Sequence, residues 1–148
     1  MGDLSTNFSR SEFDCHCGCG IEFEVSRELI QLIQALRDDL GHPLTINSGA
    51  RCRTHNSSTS GASQNSWHIP RVQHGAKKVL YACDISYSNM DLRHEPLAVF
   101  AMYAKAGTLK PRVVGLGLYH NRVHVDMRPG RIKAARWISS MPWDLSSF

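Results

Sequence analysis

A chain of 148 residues with 42% hydrophobic and 20% charged content suits a single globular domain with a core of its own. Its formal charge of +4 demands neither nucleic acid nor a membrane surface as partner, and no apolar run approaches the roughly 18 residues of a membrane span. The opening MGDLSTNFSR also lacks the charged and apolar regions of a secretory leader.

The first segment, NFSRSEFDCHCGCG, reads as irregular, because Gly18 and Gly20 interrupt any regular element. A helix is predicted next, with Ser26 as N-cap. Leu29, Ile30, Leu32, Ile33, Leu36 and Leu40 form one stripe of 3.6 period, and Gly41 and Pro43 end it. Leu44 to Asn47 reads as a short strand leading into Ser48-Gly49-Ala50-Arg51. Residues 53–66 are small and polar, and are predicted to be a surface loop. A hairpin is expected after it, running out from Ile69 to Gln73, turning near Gly75 and returning from Val79 to Ile85. A second helix is predicted over about 92–106, with Pro96 in its first turn and Gly107 as stop. VVGLGLYHNRVHVDMR alternates like two further strands turning near Asn121, and the tail RWISSMPWDLSSF carries no clear signal. The whole reads as one α+β domain with a small, mainly antiparallel sheet and two principal helices. It divides into an irregular cysteine-bearing segment 1–25, a core 26–137 and a tail 138–148.

Asp84 stands inside the apolar run Val79-Leu80-Tyr81-Ala82-Cys83-Asp84-Ile85. A buried carboxylate is costly without a cation or metal beside it. If the hairpin turn centres on Ala76, His68 lies directly opposite Asp84 on the same face. On the later strand pair His124 and Asp126 also share a face, since side chains alternate with period two. Two histidines and one aspartate on neighbouring strands make a three-ligand site with a fourth position open for water, the arrangement of catalytic zinc. His74, near the hairpin tip, lies too far out to join it, and Cys83 should face the core.

In order along the chain, SGARCRTHN, SWH, ACDIS and VGLGLYHNRVHVDMR resemble the successive motifs of the zinc D-alanyl-D-alanine carboxypeptidase family. That family includes L-alanyl-D-glutamate endolysins and murein endopeptidases and shares its fold with hedgehog domains. The resemblance runs from about residue 7 to 137. It implies His68, Asp84 and His124 as zinc ligands, Arg51 as the group that holds a substrate carboxylate or developing oxyanion, and Ser66 as a contact to the peptide. Asp126 is the nearest acidic residue for general base, because the positions where other members carry Glu, Asp or His hold Asn121 and Arg122. At this level His124 and Asp126 are interchangeable in role. His68 and Asp84 are sixteen positions apart where the family has seven, as if nine residues had been added to a hairpin that forms a lip beside the cleft.

The function implied is zinc-dependent hydrolysis of peptide bonds in peptidoglycan stem peptides, by a monomer that does not insert into membranes. Without a leader, such an enzyme is expected to be made in the cytoplasm and to act at the cell wall after release, or from a virion. The alternative is a non-catalytic zinc-binding module of a wall or virion. Cys15-His16-Cys17-Gly18-Cys19 lacks the spacings of a nucleic-acid zinc knuckle, so no nucleic-acid partner is expected. Five cysteines cannot all pair within one chain. Those of the cluster are read as free or as one bridge, to Cys52, in preference to a second structural zinc on Cys15, Cys17 and Cys19.

Overall fold

The computed structural model describes residues 2–72, 75, 77–87, 96–130 and 133–139. Helix α1 (Arg27–Leu40) follows its apolar stripe, with Leu29, Ile30, Leu32, Ile33 and Leu36 buried. The Ser26 hydroxyl accepts from the Leu29 N–H at one end. At the other, Gly41 adopts φ +69°, a left-handed cap that a side chain would strain, and donates to the Arg37 carbonyl. Helix α3 (Pro96–Ala106) starts at a proline, whose missing N–H costs nothing there, and buries Val99, Met102 and Ala106. The expected residues 92–95 of this helix lie outside the described residues.

The main sheet has the order β2-β5-β7-β6-β8. Its strands are β2 (Leu44–Ser48), β5 (Ala82–Tyr87), β6 (Gly115–Leu118), β7 (Val123–Asp126) and β8 (Ala135–Ile138). All neighbours are antiparallel except β6 and β8. Alternation gives this sheet two unlike faces. Ile46, Cys83, Ile85, Leu116, Leu118, Val123 and Val125 join the helices in one apolar core. Asp84, His124 and Asp126 point to the other face. The fold is α+β and mainly antiparallel, as the sequence predicts.

The inserted hairpin takes a different place from the expected one. Strands β3 (Arg71–Val72) and β4 (Lys78–Leu80) pair antiparallel, but they belong to a separate three-stranded sheet completed by β1 (Glu24–Val25) from the supposedly irregular N-terminal segment. Arg71 pairs with Val79, which centres the turn on Gly75 and not on Ala76. Gln73, His74 and Ala76 lie outside the described residues. The chain leaves this sheet at Tyr81 and enters the main one as β5, so His68 does not face Asp84 across the hairpin. Asp84 is instead the register partner of His124. Side-chain alternation predicts the face that His124 and Asp126 share; it does not say which strand lies beside which.

Two further corrections concern regions with weak apolar signals. Arg53–Ser58 forms a short helix, α2, within the predicted loop. It is capped by a cysteine: the Cys52 sulfur accepts from the His55 N–H. The segment from Arg136, which carries no clear signal in the sequence, begins inside β8, an edge strand that ends at Ile138.

Candidate metal centre and active site

His68 reaches the centre from the loop after α2. Its backbone is tied down on both sides, with its N–H donated to the Ser66 hydroxyl and its carbonyl accepting from the Arg51 N–H at 2.7 Å. Asp84 and His124 come from adjacent strands. Three ligand atoms converge: His68 Nε2, His124 Nδ1 and Asp84 Oδ1. The two nitrogens are 3.1 Å apart, His124 is 3.1 Å from the carboxylate oxygen and His68 3.3 Å from it. All three residues are buried. Tetrahedral zinc with ligand bonds of about 2.0–2.1 Å sets its ligand atoms about 3.3–3.4 Å apart, so the triangle has the right size.

The outer nitrogens fix the tautomers. His68 Nδ1 lies 2.7 Å from the Gly49 carbonyl, and His124 Nε2 lies 2.9 Å from Asp126 Oδ2. Each of these acceptors calls for an N–H, which leaves the inward nitrogen of each ring with a lone pair for a cation. Asp126 therefore stands behind His124, on the far side of the ring from Asp84. Both its oxygens are engaged by Arg128, at 2.6 Å from Nε to Oδ1 and 2.6 Å from Nη2 to Oδ2.

Titration follows the same geometry. Burial lowers the His68 imidazole, and the Asp84 charge restores only part of the loss. Burial also opposes charge on His124, but its hydrogen bonds to Asp126 and Asp84 outweigh this and raise it. Burial works against the Asp84 carboxylate too, yet the two imidazoles hold it well below the usual carboxylate range. Asp126 is held low in the same way by Arg128 and His124. A proton and a divalent cation would therefore compete for the inward nitrogen of His124.

A cleft of about 910 Å³ opens onto the triangle. Arg51, Arg122 and Arg128 line it, together with Ser66, Trp67, Tyr119, His120 and Trp137. Arg51 Nη2 is 3.7 Å and Arg122 Nε 3.4 Å from the outer oxygen of Asp84. Arg51 is aimed by two further contacts, to the Asn56 amide oxygen at 3.1 Å and the Ser48 hydroxyl at 3.4 Å. A second cavity of about 920 Å³, beside the N-terminal segment, holds none of the three metal-facing groups.

Three contributors carried little sequence signal. Arg128 continues the period-two face of His124 and Asp126, which could have marked it. Arg122 was read only as a residue unable to act as base. Trp137 comes from the tail; its ring centroid is 5.1 Å from that of His124, and its N–H donates to the Tyr119 hydroxyl. Gly115 and Gly117 make room for this layer. A Cβ at Gly115 would come 2.0 Å from the Asp126 carboxylate, and one at Gly117 would come 2.3 Å from the Trp137 ring. Both glycines are register partners of the residues they accommodate, Gly115 of Asp126 and Gly117 of Trp137.

Cys15, Cys17, Cys19 and Cys52 also come together, away from this centre and with no disulfide among them. Cys83 is fully buried in the core.

No curated protein and no solved structure matches the chain significantly. A family model described as Peptidase M15 matches residues 6–126, a span that takes in the whole triangle and Asp126. Together with the α+β fold, this match shows that the chain belongs to the peptidase M15 family of zinc metallopeptidases.

Proposed function

We propose that the chain hydrolyses peptide bonds in peptidoglycan stem peptides, with His68, Asp84 and His124 as the zinc ligands. The observation that carries the substrate class is the set of guanidiniums in the cleft, with Arg51 and Arg122 both within 3.7 Å of the outer oxygen of the ligand carboxylate. Stem peptides present free carboxylates, and a planar guanidinium binds a carboxylate through two parallel hydrogen bonds. No membrane-spanning helix accompanies the site: among the described residues none is long and apolar enough.

Zinc, when bound, supplies a Lewis acid for the scissile carbonyl and brings the pKa of its water towards about 7. The chain's own groups do the rest. Arg51 neutralises the substrate carboxylate or the charge that develops on the attacked oxygen. Ser66 lines the cleft where it can meet the peptide. Asp126 is assigned here to orienting His124, in place of the general-base role expected from the sequence, because Arg128 and His124 already engage its oxygens. Proton transfer is assigned to His120, the one imidazole lining the cleft, among the described residues, that is not part of the triangle.

Two substitutions separate these roles. Arg51→Lys keeps the charge but removes the two-pronged donor. It should leave zinc content unchanged and slow hydrolysis roughly ten- to a hundredfold, the worth of about 1.5–3 kcal/mol from a charge-assisted hydrogen bond. His120→Ala should also retain zinc, while kcat falls by about 10²–10⁴-fold, as expected for a lost proton carrier. An unchanged kcat in the His120 variant would return proton transfer to another group.

The reading as a whole is tested by digesting purified muropeptides with the zinc-loaded chain and weighing the products. Loss of a terminal alanine identifies a carboxypeptidase, and a split stem an endopeptidase. Intact muropeptides in the presence of a correctly loaded protein would refute the proposal and leave a non-catalytic zinc module.

A further inference from the structure

We propose that Cys15, Cys17, Cys19 and Cys52 form a second zinc site, structural in role and separate from the catalytic centre. Their four sulfurs all lie within 4.8 Å of one another. Cys15 and Cys17 are 3.3 Å apart, and Cys17 and Cys52 3.6 Å. Zinc bound to four thiolates at about 2.3 Å sets neighbouring sulfurs about 3.8 Å apart. A disulfide needs about 2.05 Å, and no two of these sulfurs are joined. The spacing is that of ligands around a common point.

Three ligands in a Cys-x-Cys-x-Cys run look too close in sequence for a tetrahedron, and the backbone resolves this. Gly18 and Gly20 take φ of +74° and +67°, left-handed values that glycine alone adopts freely. The Gly18 N–H closes a turn onto the Cys15 carbonyl at 3.1 Å. A fully extended run would keep Cys15, Cys17 and Cys19 on one face but string them out at about 6.6 Å intervals, and the turn draws them together instead. Cys52 supplies the fourth corner from a distant part of the chain.

The surroundings suit thiolates. The Cys52 N–H points at the Cys15 sulfur at 3.4 Å, and the His55 N–H at the Cys52 sulfur at 3.3 Å. His55 Nδ1 lies 3.2 Å from the Cys15 sulfur, where its proton can offset charge. Neutral thiols gain little from such donors, whereas a sulfur that has released its proton to solvent on binding zinc gains a charge-assisted bond.

The location explains why a site here would matter. Cys52 directly follows Arg51, and the cysteine loop directly follows Phe13. The Phe13 carbonyl accepts from the Ala50 N–H at 2.8 Å, and Gly49 is packed so tightly on Phe13 that a Cβ would come 2.5 Å from its Cα. Gly49 in turn holds His68 through its carbonyl. A metal at the four sulfurs would staple the N-terminal segment to the turn that carries Gly49 and Arg51.

The test uses the full chain purified under reducing conditions. Metal analysis should find two zincs per chain, with one remaining in His68→Ala and one in the double variant Cys17→Ser/Cys19→Ser. Cobalt substitution should give sulfur-to-cobalt charge-transfer absorption that survives His68→Ala and vanishes in the cysteine variant. In the unaltered protein, Cys17 and Cys19 are exposed, yet both should alkylate at least tenfold more slowly than after chelation. That measurement decides the matter even if the cysteine variant does not fold. A single zinc that disappears with His68→Ala, fast alkylation of Cys17 and Cys19 in the zinc-loaded chain, or a mass two hydrogens short would overturn the proposal.

Discussion

His68→Ala should cost the chain one equivalent of zinc and reduce hydrolysis at least about 10³-fold, since a Lewis-acid metal contributes several kcal/mol and each 1.36 kcal/mol is a factor of ten. The substitution removes one of the three inward ligand atoms and leaves His124 and Asp84 as a two-membered set. It also leaves the Gly49 carbonyl without its 2.7 Å partner, so a modest drop in stability should accompany the loss. Circular dichroism separates that drop from unfolding. Acid should mimic the substitution in the unaltered protein. Protons compete with zinc for the inward nitrogens of His68 and His124, so zinc should be released progressively as pH falls. A His68→Ala protein that keeps its zinc and its activity would remove this triangle from the mechanism.

Much of the fold could be read from residue patterns, and the part that could be read has a common property. α1 showed itself because five of its side chains are buried on one stripe between a hydroxyl cap and a left-handed glycine. The face shared by His124 and Asp126 followed from strand alternation alone. What the patterns could not supply was adjacency. A strand's period states which side chains point the same way, but its neighbour is chosen by the tertiary fold. Hence Asp84 does lie beside His68 and His124, while the hairpin that the sequence suggests as the reason belongs to another sheet.

The elements missed were those whose stability comes from polar contacts or close approach. α2 has a single buried residue, Asn56, and is fastened by the contacts of Asn56 to Arg51 and to the Ser63 carbonyl. Such a segment has no apolar period to detect. β8 is an edge strand of alternating half-buried and exposed residues, and its meaning depends on Gly117, which leaves space for Trp137 beside His124. The repeated Gly-x-Gly of β6 is thus a spacing device for the layer behind the metal-facing residues.

Asp126→Asn tests that layer and should separate orientation from proton transfer. Asparagine keeps the shape and can still accept the His124 N–H, but it no longer neutralises Arg128. Zinc affinity should fall about 10–100-fold, the usual effect of losing the group behind a ligating histidine. Stability should fall as well, since Arg128 loses its counter-charge against a fully buried partner. Breaking a buried ion pair costs about 3–5 kcal/mol, and the partial exposure of Arg128 puts this case towards the lower end. The pH dependence has a definite sign. The folded protein holds the Asp126 carboxyl below its unfolded value of about 3.9, so its contribution is complete above that value and is lost as pH falls. In chelator-stripped protein, the stability gap between the parent and the variant should therefore be widest near neutrality and narrow from about pH 5 downwards. Saturating zinc should restore most of the hydrolysis rate if Asp126 only orients His124. A variant that binds zinc normally and still loses about 10²–10⁴-fold in kcat would make Asp126 the proton carrier after all.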